Sequence, residues 1–168
     1  ALMIAAQQGH VDCIEAMGVS GWGGAMGANP EAVSPRGATA LYMAAENGHA
    51  DCVRRLLRWG ANIGAKWGEG WTALHIAANN GHADCVRALL RNGADIEAAV
   101  RSNHPTGGGT ALIFAAQFGH TRCVEELLQG GADIKAKKND GSTALMVARV
   151  ARRHNPNLTL LARDACIE

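Results

Sequence analysis

Cysteine and histidine are the side chains best able to do chemistry in this chain, and both recur in step. Cys13, Cys52, Cys85 and Cys123 are separated by 39, 33 and 38 residues, and so are His10, His49, His82 and His120. Thiolates and imidazoles bind zinc, and a thiolate beside an imidazole is a nucleophile. Zinc sites, however, gather ligands from short loops such as C-x-x-C, and no such pair is present. Each of the four histidines follows a glycine, at Gly9, Gly48, Gly81 and Gly119. His104 and His154 have no evident partners, and no Ser/His/Asp set, phosphate loop or paired-carboxylate motif stands out. Gly107-Gly108-Gly109 precede a helix, where an anion could sit; a flexible insertion joined to the repeat's own glycine is the plainer reading. The sequence therefore predicts no catalytic residue, no metal site and no cofactor.

The elements that carry these residues explain their spacing. Gly70–Ile96 reads GWTALHIAANNGHADCVRALLRNGADI, and Gly37 and Gly108 open two close copies. Gly141 opens a copy that holds through GSTALMVA, and the chain begins inside a fifth, ALMIAAQQGHVDCIEAM. Self-similarity at about 33 residues denotes a stacked solenoid. Within one copy, Thr72 can cap a helix with its hydroxyl. Leu74, Ile76, Ala77 and Ala78 give that helix a packed side. Gly81 ends it, since a left-handed terminal residue costs glycine little. A second helix over Ala83–Arg91 sets Cys85, Val86, Leu89 and Leu90 on one face. Such a unit buries its apolar face only against copies of itself. The cysteines then sit on successive helices roughly 8–10 Å apart, too far for a disulfide, and read as buried apolar residues. The Gly-His histidines read as turn residues held apart by the stack.

The motif resembles the ankyrin repeat family. The family's T-P-L-H stretch stands here as TALY, TALH, TALI and TALM, with alanine for proline and His75 as the only histidine. Ala77-Ala78, Gly81-His82, Val86, Leu89-Leu90 and Gly93–Ile96 match the remaining motif positions. The resemblance covers nearly the whole chain. It implies an all-α helix-turn-helix repeat solenoid of about five repeats, the first and last irregular, with hairpin-like loops and a concave side. It also implies that the role is binding other proteins. The expected divisions are 1–36, 37–69, 70–107, 108–140 and 141–168, forming one domain.

Composition excludes several classes. Sixteen basic residues face fifteen acidic ones, which gives no global attraction to nucleic acid or anionic membrane. Apolar residues make up 48% of the chain, but no run reaches the 18 or so needed to cross a bilayer. No secretory signal pattern is present. Opening in mid-repeat suggests a piece of a longer protein. Five cysteines without a disulfide framework favour a reducing compartment, cytoplasmic or organellar.

The positions that repeats do not share are the ones free to encode function. Gly18 and Gly21–Gly24 disrupt the first repeat, predicting a weak, short second helix and a long loop around Trp22. Residues 99–107 insert into the third repeat's loop. Arg152-Arg153 replace the last Gly-His, and residues after Asn157 suggest a capping helix with Leu158 and Leu161. Aromatic residues are rare, yet Trp59, Trp67, Trp71 and Phe118 occupy variable positions, expected to be exposed. Trp67, Trp71 and Phe118 are the expected centre of a protein-binding face, with Glu46, Asn47, Asn79, Asn80 and Gln117 as its polar surround. Trp59 and Trp22 are further candidates. The reading is an interaction scaffold rather than an enzyme. A permanent subunit of a large assembly, including an organellar membrane complex, and a regulatory module of a longer enzyme remain alternatives.

Overall fold

The computed structural model describes residues 1–19, 28–101 and 107–154. Helices come in antiparallel pairs: α1 (Leu2–Gln8) with α2 (Val11–Val19), α3 (Ala40–Glu46) with α4 (Ala50–Arg58), α5 (Ala73–Asn80) with α6 (Ala83–Arg91), and α7 (Ala111–Phe118) with α8 (Thr121–Gln129). A last helix, α9, spans Ala144–His154. Contacts run α1–α3–α5–α7–α9 in one layer and α2–α4–α6–α8 in the other. Each element thus touches its own pair and its sequence neighbours, as a linear stack requires. No strand occurs among the described residues. The projecting loops instead close through single antiparallel bridges, Val33 with Thr39, Trp67 with Trp71, Ala99 with Thr110 and Lys137 with Thr143.

The alanine pairs explain the close first layer. Ala44, Ala45, Ala77, Ala78 and Ala115 are fully buried, and a methyl side chain lets neighbouring helices approach closely. Val53, Leu56, Val86, Leu89 and Leu127 fill the space between the layers, all at 6% exposure or less. Cys52, Cys85 and Cys123 are buried beside them, and burial pushes the Cys85 and Cys123 thiols up to about 12. Cys13 departs from the expected pattern and is exposed. It lies on α2, which packs against α1 and α4.

The Gly-His turns join one repeat to the next. The backbone N–H groups of His49, His82 and His120 each bond the carbonyl of an alanine five residues earlier, at Ala44, Ala77 and Ala115, all at 2.9 Å. Their side chains reach the preceding repeat. His49 Nε2 donates to the Gln7 carbonyl at 3.0 Å, His82 to Glu46 at 3.0 Å and His120 to Asn79 at 2.9 Å. These carbonyls end α1, α3 and α5 and lack intrahelical partners. The preceding glycine is needed twice over. Gly81 has φ +81°, and a Cβ there would stand 2.6 Å from His120 Nδ1.

One expectation changes here, and the last helix differs from its counterparts. Helix α2 runs nine residues, the length of α4, α6 and α8, despite Gly18. Ile14, fully buried, anchors it to the stack, and tertiary burial outweighs the roughly 1 kcal/mol that an interior glycine costs. Helix α9 runs eleven residues where α3 has seven, because Arg152 stands where the other repeats have the helix-ending glycine. The segments around Trp22, Leu158 and Leu161, together with Cys166 and His104, lie outside the described residues.

Candidate functional site

The tryptophans expected to face solvent are half-buried. Trp67 sits in the loop before α5, donates from Nε1 to the Arg36 carbonyl at 2.7 Å, and lies on Tyr42 with ring centroids 5.2 Å apart. Its backbone N–H bonds the Trp71 carbonyl at 2.7 Å, closing the loop. Trp71 packs on Phe114 of the next repeat, centroids 4.6 Å apart, and meets His75 edge-on at 6.1 Å. Trp59 ends α4 and packs against the core. Each ring finds its partner in the repeat stack, an apolar gain that lone loop positions cannot reveal in sequence.

The polar surround is also partly engaged. Asn80 Nδ2 donates to the Glu46 carbonyl at 2.9 Å, the same oxygen that His82 uses. Asn79 is half-buried rather than exposed, and its amide donates to Asn80 Oδ1 at 2.9 Å. Asn47 bonds back to the Met43 carbonyl at 2.8 Å. Gln117 Oε1 is buried without a hydrogen bond among the described residues. Phe118, the last residue of α7, is 50% exposed and stacks on His120 at 6.3 Å.

Phe118 borders an open groove of about 690 Å³ between α7, α9 and the loop joining repeats four and five. Phe114, Met146, Val147 and Val150 supply its apolar wall, with Lys138, Asp140 and Ser142 at one edge. Phe114 joins this wall to Trp71, so one apolar strip crosses from repeat three to repeat five. Gly109 makes room for it, since a Cβ there would stand 3.2 Å from the Phe114 ring. Met146 and Val150 are 54% and 55% exposed.

Comparing equivalent positions sharpens this. The last turn of the first helix carries Gln7-Gln8, Glu46-Asn47 and Asn79-Asn80 in repeats one to three. Repeat four has Gln117-Phe118 and repeat five Val150-Ala151. Of these two positions, polar in the first three repeats, the second becomes apolar in repeat four and both are apolar in repeat five. Met146 differs in another way: its counterparts Tyr42, His75 and Ile113 are all buried. Sequence reading found Phe118 and Trp71 but missed Phe114, Met146, Val147 and Val150. The drift along this column was visible in the sequence; the exposure of Met146 was not.

The remaining titratable groups serve the fold. Among the described residues, no group of three or more His, Cys, Asp or Glu is placed to hold a metal ion. His75 is fully buried. Its Nδ1 accepts from the Thr72 backbone N–H at 3.2 Å and lies 2.8 Å from the Thr72 hydroxyl; its Nε2 donates to the Ala98 carbonyl at 2.9 Å. That pattern requires a neutral ring, and burial lowers its pKa to about 4. On the second-helix layer Arg55 pairs with Glu15, and Arg87 with Glu126 at 2.6 Å. The guanidinium of Arg87, by its hydrogen bond, holds the Glu126 carboxyl below its ordinary range. Both pairs tie adjacent repeats together.

No curated protein matches the chain. A family model described as "Ankyrin repeats (3 copies)" matches residues 2–100 and again 97–167. Between them these spans take in nearly every residue, and the described residues within them hold four helix pairs, the bridged loops and the Gly-His turns: the chain belongs to the ankyrin repeat family.

Proposed function

We propose that this chain binds another protein along the strip from Trp71 through Phe114 and Phe118 to Met146 and Val150. Ankyrin repeats are in general protein–protein interaction modules. One observation carries the location: the polar-to-apolar change at the end of the first helix in repeats four and five, beside a groove of about 690 Å³. Half-exposed large apolar side chains clustered in a concavity favour an interaction surface. Trp71 contributes from its packed position, while Trp67 supports the loop. Asn47, Asn79 and Asn80 lie on the more polar part of the same concave layer and would meet the partner's rim.

The mechanism is surface complementarity, with binding energy concentrated in a few buried rings. No reaction is assigned to these residues. The free thiols Cys13, Cys52, Cys85 and Cys123 support a reducing compartment as the setting.

The test is affinity purification of the wild-type chain beside Phe118→Ser and Met146→Ser, followed by mass spectrometry. Both substitutions lie at half-exposed positions, so the fold should persist, as circular dichroism would verify. Proteins retained by the wild type should be lost from both variants. Equal retention by all three would refute the strip as the interface.

A further inference from the structure

The groove also has a charge that narrows what can enter it. Lys138 stands at its edge and is only 9% exposed, as a long aliphatic stem lying along apolar surface would be. Its ammonium makes no ion pair among the described residues. The nearest acid bordering the groove, Asp140, is engaged otherwise. Its Oδ1 accepts from the Ser142 backbone N–H at 2.8 Å, and that bond is the main reason its pKa is lowered. Lys138 lowers it further through space. The flanking sequence is cationic too. Residues 135–153 hold Lys135, Lys137, Lys138, Arg149, Arg152 and Arg153 against Asp140 alone, in a chain whose net charge is +1.

We infer that the groove receives a short segment of another protein bearing at least two large apolar side chains and an excess of carboxylates. This rests on the concave strip being the binding surface and names the chemistry of its ligand. The apolar side chains seat against Phe114, Phe118 and Met146. The carboxylates face Lys138, within a stretch of sequence that is basic overall. Such an arrangement speeds encounter and selects against cationic segments. A protein segment fits better than a lipid surface. The apolar wall is recessed between two helices and a projecting loop, where a flat bilayer cannot follow. No helix among the described residues is long and apolar enough to cross a membrane.

A random twelve-residue peptide library displayed on phage tests this against the 168-residue chain, after clearing on a Phe118→Ser/Met146→Ser double variant. Recovered peptides should combine two or more of Leu, Ile, Phe, Met or Trp with net negative charge. Synthetic copies should bind at least tenfold more weakly to Phe118→Ser. They should bind at least threefold more weakly to Lys138→Gln, and progressively more weakly as salt rises. Peptides that depend on Phe118 but are neutral or basic would overturn the acidic assignment and leave the binding surface standing. Peptides indifferent to Phe118 and Met146, or none at all, would overturn both. Three other occupants are checked directly, and each would overturn the inference. A Phe118-dependent dimer in sedimentation equilibrium would mean a second copy. Altered Phe114 and Phe118 resonances on removing residues 155–168 would mean the chain covers its own groove. Phe118-dependent co-sedimentation with phosphatidylserine vesicles would mean a membrane surface.

Discussion

His75 illustrates how much a single side chain can couple in a repeat. Its neutral ring links the start of α5 to the Ala98 carbonyl in the following loop. Its pKa is lowered to about 4 from an ordinary 6.5, chiefly by burial, with Asp95 raising it and Lys66 lowering it through space. As pH falls the unfolded chain therefore protonates first. The stability this group confers is complete above about pH 6.5 and lost progressively toward pH 4, a difference of roughly 3 kcal/mol. The next repeat has Ile113 at the same place, so His75→Ile is a natural comparison. Denaturation at pH 7 and pH 4 should show a steeper loss for the wild type than for the variant; parallel losses would mean the ring is solvated. Ile113 also leaves Thr110 Oγ1 buried without a partner. Thr110→Val should accordingly be neutral or stabilising, whereas Thr72→Val should cost about 1–3 kcal/mol. Denaturation midpoints of the two variants would distinguish them. The aromatic residues divide similarly. Trp71 contacts Phe114 and His75, so Trp71→Ala should lower stability by roughly 2–4 kcal/mol. Phe118→Ala, at a half-exposed site, should stay within about 0.5 kcal/mol. Equal effects on the melting transition would contradict this division.

At the scale of the element, the Gly-His turn combines two requirements that substitution can separate. Gly81 and Gly93 share nearly the same φ, +81° and +84°, but a Cβ at Gly93 would meet nothing within 4 Å. Gly93→Ala therefore carries the backbone penalty alone, about 1 kcal/mol. Gly81→Ala adds a collision with the His120 ring, worth about 1–3 kcal/mol more. If urea denaturation gave equal losses, the histidine would be yielding freely and the inter-repeat bond would be weak. The elements themselves were largely legible in the sequence. Alanine pairs, helix-ending glycines and the V-x-x-L-L spacing each report a local need, repeated until it cannot be mistaken. The candidate site was legible only in part. Trp67 and Trp71 stood out by type, but their partners, Tyr42, the Arg36 carbonyl and Phe114, lie far from them along the chain. Met146 and Val147 looked like ordinary members of a packed helix face. What makes Met146 different is its 54% exposure where Tyr42, His75 and Ile113 are buried, and residue type does not report that.

Across the described residues, helices pack chiefly on their own partner and on adjacent repeats, so protection should follow place in the stack. Cys52, Cys85 and Cys123 are buried with raised pKa values, while Cys13 is exposed. Maleimide labelling read peptide by peptide should modify Cys13 within the mixing time of native protein. The other three should react only as fast as their helices open. Rapid labelling of Cys85 would show that the two layers part easily. Leu89, fully buried between the layers, supports the same organisation: Leu89→Ala should cost roughly 2–5 kcal/mol in chemical denaturation.

The histidine bonds all point one way. Each turn reaches back to a carbonyl of the repeat before it, from His49 to Gln7, His82 to Glu46 and His120 to Asn79. A duplicated unit would arrive with its own donor and offer its own acceptor. Lengthening the array by gene duplication would therefore require no new kind of bond, and shortening it by unequal recombination would leave none unmade at the seam.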